Sequence, residues 1–239
     1  MQAKVYGVPG ERVRAAGTLK VLTPVLAAIF ALGIVAGLGV ALLPGPKVTV
    51  SAFGLLALVA AGLFAWTAHL CPQRIDAFFK GARGEERTAF ALEALPEGFC
   101  VFNGLARKKG LGFLRGDMDH VVVGRTGVFV VETKCWDGEV ACDHGRIWAD
   151  GRLPSRDPLA QVLKARDELE ATLAETLETP VKAKAALCFS GRGFGGQRTT
   201  LNGVEVCHAR EVAGWIAGAE PVLNAEEVAL AADRLVRML

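Results

Sequence analysis

Charged residues are missing from two long stretches near the start of the chain, 21–43 and 48–70. Each is as long as the roughly 20 apolar residues a helix needs to cross a hydrocarbon core. The first exceeds the ~7–15 residues of a secretory apolar core. Pro44, Gly45, Pro46 and Lys47 lie between them and cannot continue a helix, which predicts an antiparallel hairpin of two transmembrane helices. Lys4, Arg12, Arg14 and Lys20 precede the first run, Arg74, Lys80 and Arg83 follow the second, and Lys47 alone marks the turn. That bias predicts a multi-pass protein of the cell (inner) membrane with the N-terminus and the C-terminal domain both cytoplasmic. Ala31, Gly33, Gly37 and Gly39, with Ala60, Ala61 and Gly62, are small enough to let helices pack closely, within the hairpin or against a membrane-protein partner.

The pattern changes after residue 70. Residues 71–80 read as a connector, and apolar positions at Ala89, Phe90, Leu92 and Leu95 recur at helical spacing until Pro96, Glu97 and Gly98 stop them. Strands are expected at 99–103, 118–123 and 128–134, the last two separated by Gly124, Arg125, Thr126 and Gly127. A glycine-rich, basic loop is expected over 104–116, and short strands at 139–142 and 146–149. Asp157 before Pro158 is a helix start, a side-chain cap followed by a residue that needs no donor, and the helix should run to about 177. A buried strand at 181–190, a loop at 191–196, a strand at 204–207 and two helices complete the chain. The last helix has Asn224 as its cap, with acids in its first turn and arginines in its last. The expected organisation is an N-terminal segment 1–20, a hairpin 21–70, a connector 71–80 and an α/β domain 81–239.

Composition refines this picture only a little. The mean hydropathy is positive, and the excess lies before Cys71. From Cys71 onward, 22 basic residues face 24 acidic ones, so bulk charge does not argue for nucleic acid. Cys71, Cys100, Cys135, Cys142, Cys188 and Cys207 contain no CxxC pair and are read as free, mostly packed thiols.

Candidate chemistry concentrates in residues 116–134. If Gly124 pairs with Gly127, Asp119 falls opposite Glu132 and Asp117 opposite Lys134, and all four project from one face. The residues between are almost all apolar, so the charges sit at the end of a buried pair of strands. Three carboxylates there require neutralisation. Either a divalent cation with oxygen ligands, Mg2+ or Mn2+, supplies it, or Lys134 forms a salt bridge with the acids at a sheet edge.

These residues resemble the nuclease-related domain (NERD) family, a branch of the PD-(D/E)XK nuclease-like superfamily. The likeness runs from Gly81 to the C-terminus and rests on several features. They are Gly84-Glu85, Asp119-His120 before an apolar strand, the run from Gly127 to Glu132-Thr133-Lys134, Gly138, Trp148, and Asp157-Pro158 followed by Gln161. The family more often has asparagine where Asp157 stands. The resemblance implies a restriction-endonuclease-like core, a central mixed sheet flanked by helices, here preceded by the two transmembrane helices. It implies that Asp119 and Glu132 bind the metal, that Lys134 orients the attacking water, and that Glu85 is a further ligand. Gln161 resembles the polar residue on the helix after the core sheet. The implied activity is metal-dependent phosphodiester hydrolysis, in DNA first, at a membrane. The alternative is a catalytically silent module that binds nucleic acid or protein.

Arg107, Lys108, Lys109 and Arg115 stand just before the acids and are positioned to hold a phosphate backbone, although basic loops are commonly only solvated. Arg192 and Arg198 flank a glycine-rich loop that lacks the Lys-Ser/Thr ending of a nucleotide P-loop. Cys135, Cys142 and His144 have no standard zinc spacing. His120 should point away from the acids, into the opposite face.

Overall fold

The computed structural model describes residues 2–42, 46–106, 117–175 and 181–239. Strand β1 (Lys4–Tyr6) leads into helices α1 (Glu11–Leu42) and α2 (Pro46–Glu93). Strands β2 (Cys100–Ala106), β3 (Asp117–Gly124) and β4 (Gly127–Lys134) follow, then the hairpin β5 (Val140–Asp143) and β6 (Arg146–Ala149). Helix α3 (Pro158–Ala174), strands β7 (Ala183–Phe189), β8 (Thr199–Leu201) and β9 (Val204–His208), and helices α4 (Val212–Ala217) and α5 (Ala225–Val236) complete the order.

Seven strands form one mixed sheet in the order β1-β2-β3-β4-β7-β9-β8, and β5 and β6 pair by themselves. β2, β3 and β4 are antiparallel neighbours, while β7 and β9 continue the sheet parallel to β4. Alternation along the strands splits the interior in two. Val121, Val123, Val128 and Val130 join Leu159, Leu169 and Leu235 of α3 and α5 in one core. Val122, Phe129 and Val131 join Leu92 of α2 and Ile216 of α4 in the other. A mixed sheet covered by helices on both faces fits a restriction-endonuclease-like core.

The chain divides into two compact units, Met1–Arg12 with Lys80–Leu239, and Val13–Phe79. The expected transmembrane hairpin falls on the second and is overturned, because among the described residues no helix is long and apolar enough to cross a membrane. With it go the bilayer and a membrane protein as partners, and the multi-pass membrane location. The uncharged runs also do not set the helix ends. α1 opens at Glu11 and carries Arg14, and α2 runs on past the expected connector through Arg83, Glu85 and Arg87 to Glu93. Nor do the small residues bring helices together at Gly33, Gly37 or Gly62, where an added Cβ would meet nothing within 4 Å. Gly17 is the tight point among the described glycines of this unit, 2.6 Å from Phe78 Cγ for such a Cβ. Residue 43, the end of the first run, and Pro44 and Gly45 of the expected turn lie outside the described residues.

Two strands are additions to the sequence reading. β1 pairs in parallel with β2, Lys4 opposite Cys100 through Tyr6 opposite Phe102, so the N-terminal segment is an edge of the sheet. β8 turns into β9 through Asn202 and Gly203, both at positive φ. β2 also reaches further than expected, taking residues 104–106 out of the predicted loop.

Candidate active site

The register of the β3–β4 hairpin is the one expected, with Gly124 opposite Gly127 and His120 opposite Val131. Gly127 lies at φ 124°, a conformation open to glycine. The ladder between the two strands stops at His120 and Val131. Each strand nevertheless keeps its outer partner, β3 to Asp117 opposite Ala106 and β4 to Lys134 opposite Phe189. At the opening between them, Asp119 Oδ2 accepts a hydrogen bond from the Thr133 N–H at 2.7 Å. The carboxylate thus occupies a place where a neighbouring strand would supply a carbonyl.

Glu132 and Lys134 point to the side on which α3 packs. Lys134 Nζ donates to Glu132 Oε1 at 2.6 Å and to Gln161 Oε1 at 3.0 Å, and Gln161 Nε2 donates to the same Glu132 oxygen. Gln161 owes its place to the start of α3. Asp157 Oδ1 caps the helix by accepting from Leu159 N at 2.9 Å, and the Gln161 N–H reaches Asp157 O at 3.1 Å. Aspartate therefore serves the capping role of the commoner asparagine.

From the other side, α2 contributes Glu85, whose Oε2 accepts from the Gly10 N–H at 3.1 Å. α2 is held close by two threonines, Thr133 Oγ donating to Thr88 Oγ at 3.1 Å and Thr88 Oγ to Gly84 O at 3.3 Å. Gly84 makes the approach possible, since a Cβ there would stand 2.6 Å from Cys135 Cβ and 2.8 Å from Ser190 Oγ. Gly84→Ala should accordingly destabilise the fold by about 1–3 kcal/mol. Urea denaturation checks this, and a change within about 0.5 kcal/mol, typical of a surface substitution, would show that the helix has room to shift.

Glu85, Asp119 and Glu132 are all buried, at 6%, 9% and 3% exposure. Desolvation, then the Asp117 charge, push the Glu85 pKa up to about 7, against the opposing Gly10 N–H and Lys134. Asp119 is raised well above the usual carboxylate range by desolvation and then by Glu132 and Glu85, with Lys134 and the Thr133 N–H opposing. The acids therefore burden one another, and Lys134 partly relieves them. Such an oxygen-donor set fits a hard divalent cation. It is not a ready-made centre, since among the described residues no group of three or more His, Cys, Asp or Glu side chains is arranged to hold a metal ion.

Of the sequence-derived residues, the fold places Asp119, Glu132, Lys134, Gln161 and Glu85 around this one opening. Asp117 is half-buried at the start of β3. Arg107, Lys108, Lys109 and Arg115 lie outside the described residues. His120 lies in the opposite face as expected, fully buried, with Nδ1 2.7 Å from Asn103 Oδ1 and its pKa driven to about 3 by burial. Arg198 is committed to Glu205 at 2.9 Å, and the loop at 191–196 is pinned by Val140 N to Gly193 O at 2.9 Å. Cys100, Cys135, Cys142, Cys188 and Cys207 are free thiols. Sequence reasoning missed Gly10, Thr88 and the role of Thr133. Only Thr133, lying between Glu132 and Lys134, carried a local signal.

Comparison with known proteins finds one family along part of the chain. Residues 80–190 match the model of the nuclease-related domain, a stretch that holds Glu85, Asp119, Glu132, Lys134 and Gln161. The match supports the NERD family and a nuclease-related function for this part of the chain. No curated protein and no solved structure matches the chain.

Proposed function

We propose that the chain is a nuclease that hydrolyses phosphodiester bonds, DNA being its first substrate, with the help of Mg2+ or Mn2+. The observation that carries this reading is the part-buried Glu132–Lys134–Gln161 network beside Asp119, inside the stretch that matches the nuclease-related domain. Asp119 and Glu132 would hold the cation, with Glu85 as the further carboxylate. A cation so bound supplies Lewis acidity toward the phosphate and a more acidic water. Lys134, an ammonium presented at the opening of the sheet, orients the attacking water and stabilises negative charge developing on the phosphate. Gln161 positions both Lys134 and Glu132. Asp117 adds negative charge at the mouth, and Arg107, Lys108, Lys109 and Arg115 would hold flanking phosphates.

A second reading, a module that binds without cutting, draws on the carboxylates being engaged by protein donors with no three-ligand centre formed among the described residues. The full chain should be incubated with supercoiled and linear DNA in Mg2+, in Mn2+ and in chelator. Cleavage in metal and none in chelator is the expected result. Retention of DNA with intact phosphodiester bonds under every metal would refute hydrolysis and leave the binding module.

A further inference from the structure

On the face of the sheet away from Lys134, a cleft of about 570 Å³ opens between the end of α2 and the segment from His208 through α4. A volume of that size is ordinary for a small-molecule site. Its floor is unusual in being made of very small residues. Ala91 of α2 and Ala94 just past its end line the cleft on one side, and Ala213 and Ala217, four apart on α4, line it on the other. These methyl groups, with Leu95 beside them, leave an apolar slot that suits a flat ring. Phe90, 77% exposed, stands at the rim as an unused aromatic face.

The polar groups of the cleft have one character. Arg87 spends a single guanidinium N–H on Ser190 O at 3.1 Å, and neither Arg87 nor Arg210 has a carboxylate partner among the described residues. His208 Nδ1 accepts from the Arg210 N–H at 3.3 Å, which leaves the ring proton on Nε2 as a donor. Burial, and then the Arg210 charge, push the His208 pKa down, so the ring is neutral near pH 7. Two arginines and a neutral imidazole donor, without a carboxylate among the lining groups, form a set of donors for a phosphate.

We infer that this cleft binds one nucleotide, its phosphate on Arg87 and Arg210 and its base between the alanine floor and Phe90. The same chemistry is offered by a nucleotide within a strand or by a free nucleoside monophosphate. The cleft joins the catalytic opening through the backbone, since Ser190, which receives Arg87, donates its own N–H to Lys134 O at 3.0 Å. The inference deepens the nuclease reading and rests on it for the strand as source, whereas the cleft's preference for a nucleotide stands on its own lining.

The test measures binding in chelator, so that cleavage cannot enter. A fluorescent single-stranded hexadeoxynucleotide with a 5′-phosphate, and a nucleoside monophosphate as competitor, are titrated against the full chain, Phe90→Ala and Arg210→Gln. Both substitutions are at exposed positions and leave the Arg87–Ser190 contact in place. Phe90→Ala should weaken oligonucleotide binding roughly tenfold through lost stacking. Arg210→Gln should weaken it and lower the slope of log affinity against log salt by about 0.7. Displacement by equimolar monophosphate would assign the cleft to a free nucleotide, and failure to displace would assign it to a strand; both support the cleft. Oligonucleotide and monophosphate binding unchanged in both variants would overturn it. Metal-dependent cleavage by the wild-type chain, measured separately, distinguishes the two failures. Unchanged binding in the variants beside intact cleavage removes the cleft alone, and weakened binding with no wild-type cleavage removes the nuclease reading alone.

Discussion

Lys134→Ala is expected to slow metal-dependent DNA cleavage by roughly 10²–10³-fold, the usual cost of removing one preorganised donor aimed at developing charge. The geometry makes this a sharper test than loss of any single acid. Lys134 Nζ already lies 2.6 Å from Glu132 and 3.0 Å from Gln161, so its ammonium is held where the two strands part. The substitution also strips the acids of the one cation that lowers both the Glu85 and Asp119 pKa values. Gln161→Ala separates the contributions. It leaves the ammonium and its ion pair with Glu132 but removes the amide that braces both, so it should cost less than Lys134→Ala and act mainly on kcat. Single-turnover cleavage of a labelled duplex measures both. If Lys134→Ala cleaves within threefold of the wild-type chain while remaining folded, Lys134 is a structural counter-ion and the acids do their work without it.

What the sequence disclosed follows from which interactions are local. The β3–β4 register was legible because a four-residue turn bounded by Gly124 and Gly127 fixes the pairing, and strand parity then places Asp119, Glu132 and Lys134 on one face. Gln161 was legible only through the family resemblance, which implies a polar residue on the helix that Asp157 and Pro158 announce. The extent of α2 was not. The change from uncharged to charged sequence suggests a break, yet the helix runs from Pro46 to Glu93. β1 was invisible for a different reason. Three residues pairing in parallel with a strand about a hundred positions away leave no periodic trace. The consequence is practical, because the same N-terminal segment supplies the Gly10 N–H to Glu85. A fragment beginning after the apolar helices would remove both an edge of the sheet and a donor to a site carboxylate.

Without metal, the chain is expected to lose stability as the pH rises from about 4.5 through 7, and Glu85→Gln should abolish much of that loss. A Glu85 pKa raised from 4.5 to about 7 means that the folded state keeps a proton which the unfolded chain has already released. Folding is therefore favoured fully at the acid end of this window, and the advantage is gone above pH 7, by roughly 3 kcal/mol for that displacement. Asp119, raised in the same direction, adds to the slope. Glutamine keeps an acceptor for the Gly10 N–H while removing the charge, so Glu85→Gln should be more stable than the wild-type chain at pH 8 and nearly equal to it at pH 4.5. A divalent cation should act like the substitution where the acids are ionised. Saturating Mn2+ is expected to raise the unfolding midpoint at pH 8, by an amount set by its occupancy, and to have little effect at pH 5, where protons occupy Glu85 and Asp119. Urea unfolding of both chains across this range, with Mn2+ and with chelator, makes the comparison. Parallel pH profiles for wild type and Glu85→Gln would show that Glu85 is ionised in the folded state throughout. A midpoint indifferent to Mn2+ at pH 8 would take the cation away from these carboxylates altogether.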